Sequence, residues 1–238
     1  MNTSLIRSNH SPFRLRCELE EVLPVRCLVM VALVALAMLN TQAQAQLLET
    51  NGPSSQGQPA SIWEGGIGEG FRPDARSMTF SAGANYGIAT FGSHQAHDLA
   101  LSSFTYGHML GHTSGVGHWY RGNLEFRCEL FTGAQFSPST EWLVGLTPHL
   151  RYNFATGTSL IPFADLGIGV TATSIGPPDL SGTFEFNLQP GIGAQWFLTN
   201  NLALSLETRY FHMSCAGINK PNLGLNGVTG MLGVTVFF

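Results

Sequence analysis

A histidine and a serine two residues apart, His212 and Ser214, are the pair whose types and spacing can do chemistry in this sequence. If LALSLETRYFHMS (202–214) is a β-strand, residues i and i+2 share a face and lie about 6.6–6.8 Å apart along it. An imidazole can bridge that gap and hydrogen-bond the hydroxyl. A base beside a hydroxyl is the minimum for an activated serine nucleophile, and the chemistry is then acyl transfer or ester hydrolysis. A bare H-x-S has a blander and commoner explanation, two polar residues at the rim where a strand leaves an apolar environment. The residues around the pair decide between them.

Other polar clusters carry less. His94, His97, His108, His112 and His118 gather around one strand and its flanking loops, with no H-x-x-x-H helix and no paired cysteine ligands, so loop or interface roles are expected and no metal or cofactor is implied. GIGEG (66–70) and GIG (191–193) are followed by no strand–loop–helix unit, which argues against a phosphate-binding loop. Of the four cysteines, Cys17 and Cys27 lie in the N-terminal region. Cys128 and Cys215 fall on strands far apart in order, so no disulfide is expected.

The elements that must position the pair have a period of two. Eight runs are expected as strands: 78–91, 99–110, 121–136, 141–154, 160–173, 183–198, 202–214 and 227–238. FSPST, ATGTS, GPPDLSG and TNN supply turn signals between them. Each run meets the roughly 9–11 residues that a tilted membrane-spanning strand needs. The faces alternate. Leu124, Phe126, Cys128 and Leu130 oppose Glu125, Arg127 and Glu129. Trp142, Val144, Leu146, Leu150 and Tyr152 oppose Glu141, His149, Arg151 and Asn153. Leu204, Leu206 and Tyr210 oppose Glu207 and Arg209. An apolar outer face with a polar inner one is the pattern of a transmembrane barrel. Both signs of charge on the inner face fit an interior packed by ion pairs. Eight strands leave little lumen, which disfavours a passive porin.

Composition agrees. Charged residues are 11% of the 238 and glycines number 28, a charge content well below the roughly 25% of soluble domains. The net charge of −4 offers no basic patch for nucleic acid. At the N-terminus, Arg7, Arg14, Arg16 and Arg26 precede the apolar run Cys27–Leu39, and Ala43 and Ala45 precede Gln46. A basic region, a short apolar run and an A-x-A site read as a secretory signal peptide; the run is short for a spanning helix. The expected organisation is therefore a signal peptide with an extended basic region over 1–45, a mobile Gly/Ser/Gln/Pro-rich segment over 46–77 from which Trp63 to Phe71 are candidates to join the barrel late, and an all-β, eight-stranded antiparallel transmembrane β-barrel over 78–238. Phe238, on the apolar face with Val228, Leu232, Val234 and Val236, is the type of residue that barrel assembly machinery reads.

Within that frame, RYFHMSCAGINKPNLGLN (209–226) resembles the C-terminal signature of the lipid A 3-O-deacylase family, PagL-like proteins also known as acyloxyacyl hydrolases. Phe211, His212, Ser214, Ala216, Gly217, Pro221, Asn222 and Gly224 carry the resemblance. It implies an outer-membrane barrel that removes an ester-linked acyl chain from lipid A of lipopolysaccharide, as a monomer or a homodimer. It implies Ser214 as nucleophile and His212 as general base, with no metal or cofactor. The family's acid falls on Asn226. The family's oxyanion-contributing asparagine falls on Cys215, which keeps only its backbone N–H for that purpose. In serine proteases, replacing the triad acid by its amide lowers kcat about 10⁴-fold through the wrong tautomer, so the rival expectation is a non-catalytic barrel, structural or adhesive. Independently of the resemblance, parity puts His212, Ser214 and Asn226 on the outward face. A site there can meet a lipid in the same leaflet but no solute in the lumen.

Overall fold

The computed structural model of the protein describes residues 61–238. The expected signal peptide and residues 46–60 lie outside the described residues. Eight strands follow: β1 (Arg76–Gly87), β2 (Asp98–Met109), β3 (Gly122–Ser137), β4 (Glu141–Phe154), β5 (Leu160–Thr173), β6 (Phe184–Phe197), β7 (Leu202–Ser214) and β8 (Leu225–Phe237). Each pairs antiparallel with the next, and β8 pairs with β1 to close the barrel. Closure matters physically, because a membrane offers no water to satisfy an open sheet edge.

Two strand bounds differ from expectation near the H-x-S pair. β1 stops at Gly87 and not at Phe91. The Gly87 N–H donates to the Asp98 carboxylate at 3.0 Å, and the chain turns with Phe91 at φ 50° and Gly92 at φ 95°. β8 begins earlier, at Leu225, so that Leu225 and Asn226 pair with Met213 and His212 of β7. β1 also starts at Arg76, where its N–H donates to the Phe238 carbonyl at 2.9 Å.

The outward face is apolar and exposed, with Leu204, Leu206, Ile192, Leu232 and Val234 among its members. The inside is filled in three layers. In the middle lies an ion-pair belt. Arg151 donates to Asp165 at 2.6 Å and to Glu207 at 2.7 Å, Arg209 donates to Glu207 and Glu129 at 2.6 Å each, and Arg127 reaches Asp165 at 3.3 Å. His149 sits between Asp165 and Glu129. Buried charges persist only when paired in this way. An apolar cluster caps the belt on each side. One, at the end where strands β7 and β8 join, includes Leu99, Phe131, Leu143, Leu180, Phe211 and Met213. The other lies at the end where β1 begins and includes Ile62, Trp63, Phe71, Phe197 and Phe237.

Residues 62–75, within the segment set apart as 46–77, are anchored in that second cluster. Trp63 bridges to Phe71, and the Glu64 N–H donates to the Gly70 carbonyl at 2.9 Å, making a short hairpin. Its Phe71 ring stacks on Trp63 at 4.6 Å and on Phe237 at 5.1 Å. Four of the five histidines singled out above divide between the ends. His97 is buried against Gln135 near the β1–β2 loop, whereas His108 and His112 pair with Asp74 and Glu64 beside the hairpin and His118 stacks on Tyr120. Cys128 and Cys215 are both free.

Candidate active site

The site is built from one strand pair. Alternation on β7 sends Tyr210, His212 and Ser214 to the outer face, and the antiparallel register sets Asn226 of β8 directly opposite His212. Same-face neighbours on one strand and a cross-strand partner are the residues a sheet brings close, so three side chains meet without any loop having to carry them.

The geometry is that of a relay. His212 Nε2 lies 3.0 Å from Ser214 Oγ, and His212 Nδ1 lies 2.7 Å from Asn226 Oδ1. An amide oxygen only accepts, so Nδ1 carries the hydrogen and Nε2 presents its lone pair to the serine hydroxyl. That is the protonation pattern a general base needs. The Asn226 side chain is buried at 1% exposure, while His212 and Ser214 are half-buried. Its Oδ1 also accepts from the Tyr210 hydroxyl at 2.6 Å, and its Nδ2 donates to the Thr90 carbonyl at 2.9 Å.

Three loops converge around this pair. From the β1–β2 loop (88–97), Ile88 donates its N–H to the Asn226 carbonyl at 2.8 Å, and Phe91 sets its ring edge-on to Tyr210 at 6.4 Å. The β5–β6 loop (174–183) accepts from the β7–β8 loop (215–224): Leu223 N–H to Pro178 O at 3.3 Å and Gly224 N–H to Asp179 O at 2.9 Å. Gly224 has φ +80°, and a Cβ there would stand 3.4 Å from His212 Cε1 and 3.9 Å from Ser214 Cβ. Glycine therefore both permits the turn and keeps space open beside the pair.

Cys215 follows Ser214 with its thiol turned away, 3.3 Å from the Asn219 carbonyl, and its backbone N–H donates to Asn222 Oδ1 at 3.4 Å. That long bond is weak, and an oxyanion would compete with it for the same N–H.

Sequence reasoning missed the contributions of Tyr210 and Thr90 to this site. Tyr210 was readable only as another outward residue. Thr90 acts through its main-chain carbonyl, which no side-chain motif encodes.

The family model of lipid A 3-O-deacylase (PagL) matches residues 81–235, more than half of the chain. The chain belongs to the lipid A 3-O-deacylase family. Among solved structures, the barrel is similar to that of the outer membrane enzyme PagL, at 21% identity and a TM-score of 0.50, covering 66% of this chain and 97% of that one. It is also similar to Neisserial surface protein A, NspA, at 18% identity and TM-score 0.49, covering 74% and 100%. A third is the N-terminal barrel domain of Pseudomonas aeruginosa OprF, at 16% identity and TM-score 0.42, covering 70% and 98%. At such identities the likeness is one of fold. No curated protein sequence matches. Family and fold together make this lipid A 3-O-deacylase relative an outer-membrane β-barrel of lipid A deacylase type. The positions where the family resemblance implies a base and a nucleophile are the two that stand 3.0 Å apart, His212 and Ser214.

Proposed function

We propose that this protein hydrolyses an ester-linked acyl chain of lipid A through Ser214 and His212. The observation that carries the reading is the continuous chain Ser214 Oγ–His212–Asn226, with both ring nitrogens within hydrogen-bond distance of the correct partner. Ser214 Oγ attacks the acyl carbonyl carbon as His212 Nε2 takes its proton. The tetrahedral intermediate collapses, the sugar oxygen leaves, and His212 returns the proton to it. Water then adds to the acyl-serine by the same route in reverse, releasing the fatty acid and restoring Ser214.

Asn226 orients the imidazole without offsetting its positive charge, as an amide does in Cys-His-Asn sites. The substrate is lipid A because the site opens on the outward, lipid-facing side. Below it two shallow depressions share Ile192 and Thr208 on that face, one reaching Tyr210 and Val228 and the other Leu206 and Gly230, a mostly apolar surface against which an acyl chain can lie. The end carrying the three converging loops is then the one at the outer leaflet, where lipopolysaccharide lies.

Mass spectrometry of lipid A from cells expressing the protein tests the reading. Loss of one acyl chain, abolished by Ser214→Ala at equal barrel yield, is the expected result. Intact lipid A with a suitable substrate present would replace the esterase by a non-catalytic barrel.

A further inference from the structure

The uncharged residue at the acid position raises a problem specific to amides. A carboxylate offers an oxygen to the imidazole whichever way it is turned. An amide offers an oxygen in one orientation and an NH₂ in the other. With the NH₂ toward His212, Nδ1 would have to accept, the ring hydrogen would move to Nε2, and Nε2 could no longer take the serine proton. An Asn226 free to rotate would spend part of its time disabling the base.

The surroundings of Asn226 remove that freedom. Its Nδ2 faces the Thr90 carbonyl at 2.9 Å, and a carbonyl only accepts. Turned over, Asn226 would set two oxygens against each other at a buried position. On the other side the Tyr210 hydroxyl donates to Oδ1 at 2.6 Å; turned over, the NH₂ could donate to that hydroxyl instead, so Tyr210 favours this orientation through the donation it would lose, while the Thr90 carbonyl excludes the other outright. Tyr210 occupies the same outward row of β7 as His212 and Ser214, and its ring is braced by Phe91, from the loop that also carries Thr90. The loop is held in turn by the Ser93 N–H, which donates to the Thr90 carbonyl at 3.0 Å.

We infer that Tyr210 is a positioning residue which, with the Thr90 main-chain carbonyl, locks the Asn226 amide so that His212 is held as the Nδ1–H tautomer and its Nε2 stays a base. The lock rests on the Ser214–His212 reading for its consequence, but the tautomer it enforces is measurable without turnover. The bland alternative gives Tyr210 the role of a membrane-rim tyrosine whose hydroxyl happens to find a partner. In that case its removal changes stability and leaves the tautomer alone.

The test uses the mature protein, labelled with ¹⁵N-histidine, in detergent micelles, with the His212 resonances assigned by their loss in His212→Gln. Wild type is expected to show the Nδ1–H pattern at His212. Tyr210→Phe is expected to admit the Nε2–H pattern and to lower kcat on lipid A about three- to ten-fold with KM unchanged, the effect of losing one neutral hydrogen bond. Phe91→Ala, which loosens the Thr90 loop, is expected to shift the tautomer in the same direction and serves if Tyr210→Phe yields too little barrel. An Nε2–H tautomer in wild type overturns the lock, whether or not the protein is active. An unchanged tautomer and kcat in a folded Tyr210→Phe removes Tyr210 from it. A tautomer that responds to Tyr210→Phe in a protein that never deacylates lipid A leaves the lock standing and overturns the esterase reading alone.

Discussion

At the end where the chain enters the barrel, four aromatic rings, Trp63, Phe71, Phe197 and Phe237, pack against one another with centroids 4.6 to 6.0 Å apart. At the opposite end, the interior is closed mostly by aliphatic side chains and Met213 around one edge-on aromatic pair, Phe131 and Phe211, and the loops above are joined mainly through backbone groups. Both ends exclude water from the ion-pair belt between them. The aromatic end does so with contacts that are strong and tolerant of small shifts. The other end has a second task, because its outer rim must hold His212, Ser214 and Asn226 at hydrogen-bond distances. Directional bonds to fixed carbonyls suit that task where packing alone would not. Closure and chemistry are thus served by different forces at different ends, and each can be broken without the other.

The largest effect is expected at the site. Ser214→Ala should lower deacylation of lipid A about 10³-fold or more while the heat-modifiable gel mobility of the folded barrel stays that of wild type. Residual activity near that of wild type would move the nucleophile elsewhere.

At the other end, Phe71→Ala removes the ring shared by Trp63 and Phe237. Such truncations cost roughly 3–5 kcal/mol, read as a lower denaturant midpoint in lipid vesicles. Activity per folded barrel should not change. A parallel fall in activity would mean that the ends are coupled through the belt.

Asn226→Glu sharpens the comparison within the site. A carboxylate stabilises the imidazolium that forms as His212 takes the serine proton, so turnover should rise. The gain should stay within about tenfold, because a carboxylate cannot replace the Asn226 Nδ2 donation to the Thr90 carbonyl and sets two acceptor oxygens against each other there. A loss of activity in a folded variant would show that the amide lock matters more than the charge.

Cys215→Ala should have the smallest effect, less than about twofold in kcat, because the thiol bonds loop groups, the Asn219 backbone among them, and not the His212–Ser214 pair, and the Cys215 N–H survives. A large loss would assign the thiol a role that its orientation does not suggest.

The barrel was legible because its alternation is dictated by two solvents, lipid outside and paired charge inside; Glu207 and Arg209 between Leu206 and Tyr210 are enough to orient β7. His212 and Ser214 were legible because one strand carries both. Asn226 came from the family resemblance, and its placement opposite His212 depends on a register that sequence alone does not fix. That Trp63 to Phe71 join the barrel was legible, but not how, because they sit among Gly, Ser and Pro, a composition that reads as loop; they are held by partners more than 100 residues away, such as Phe197 and the Asn200 carbonyl that accepts from the Trp63 indole at 2.9 Å.

The hairpin ring Phe71 rests on Phe237, and Arg76 and Phe238 exchange backbone bonds. The first and last parts of the barrel therefore meet each other, at a sequence separation of about 160 residues. Contacts of such high order are slow to form, because the intervening chain must surrender its freedom before they contribute. The hairpin is tied nearer in sequence to Asn123, by two bonds, but its stack on Phe237 closes only once β8 is in place. It is consequently a late-forming clasp, and its docking, followed by the fluorescence of Trp63, would report the completion of the barrel and no earlier step.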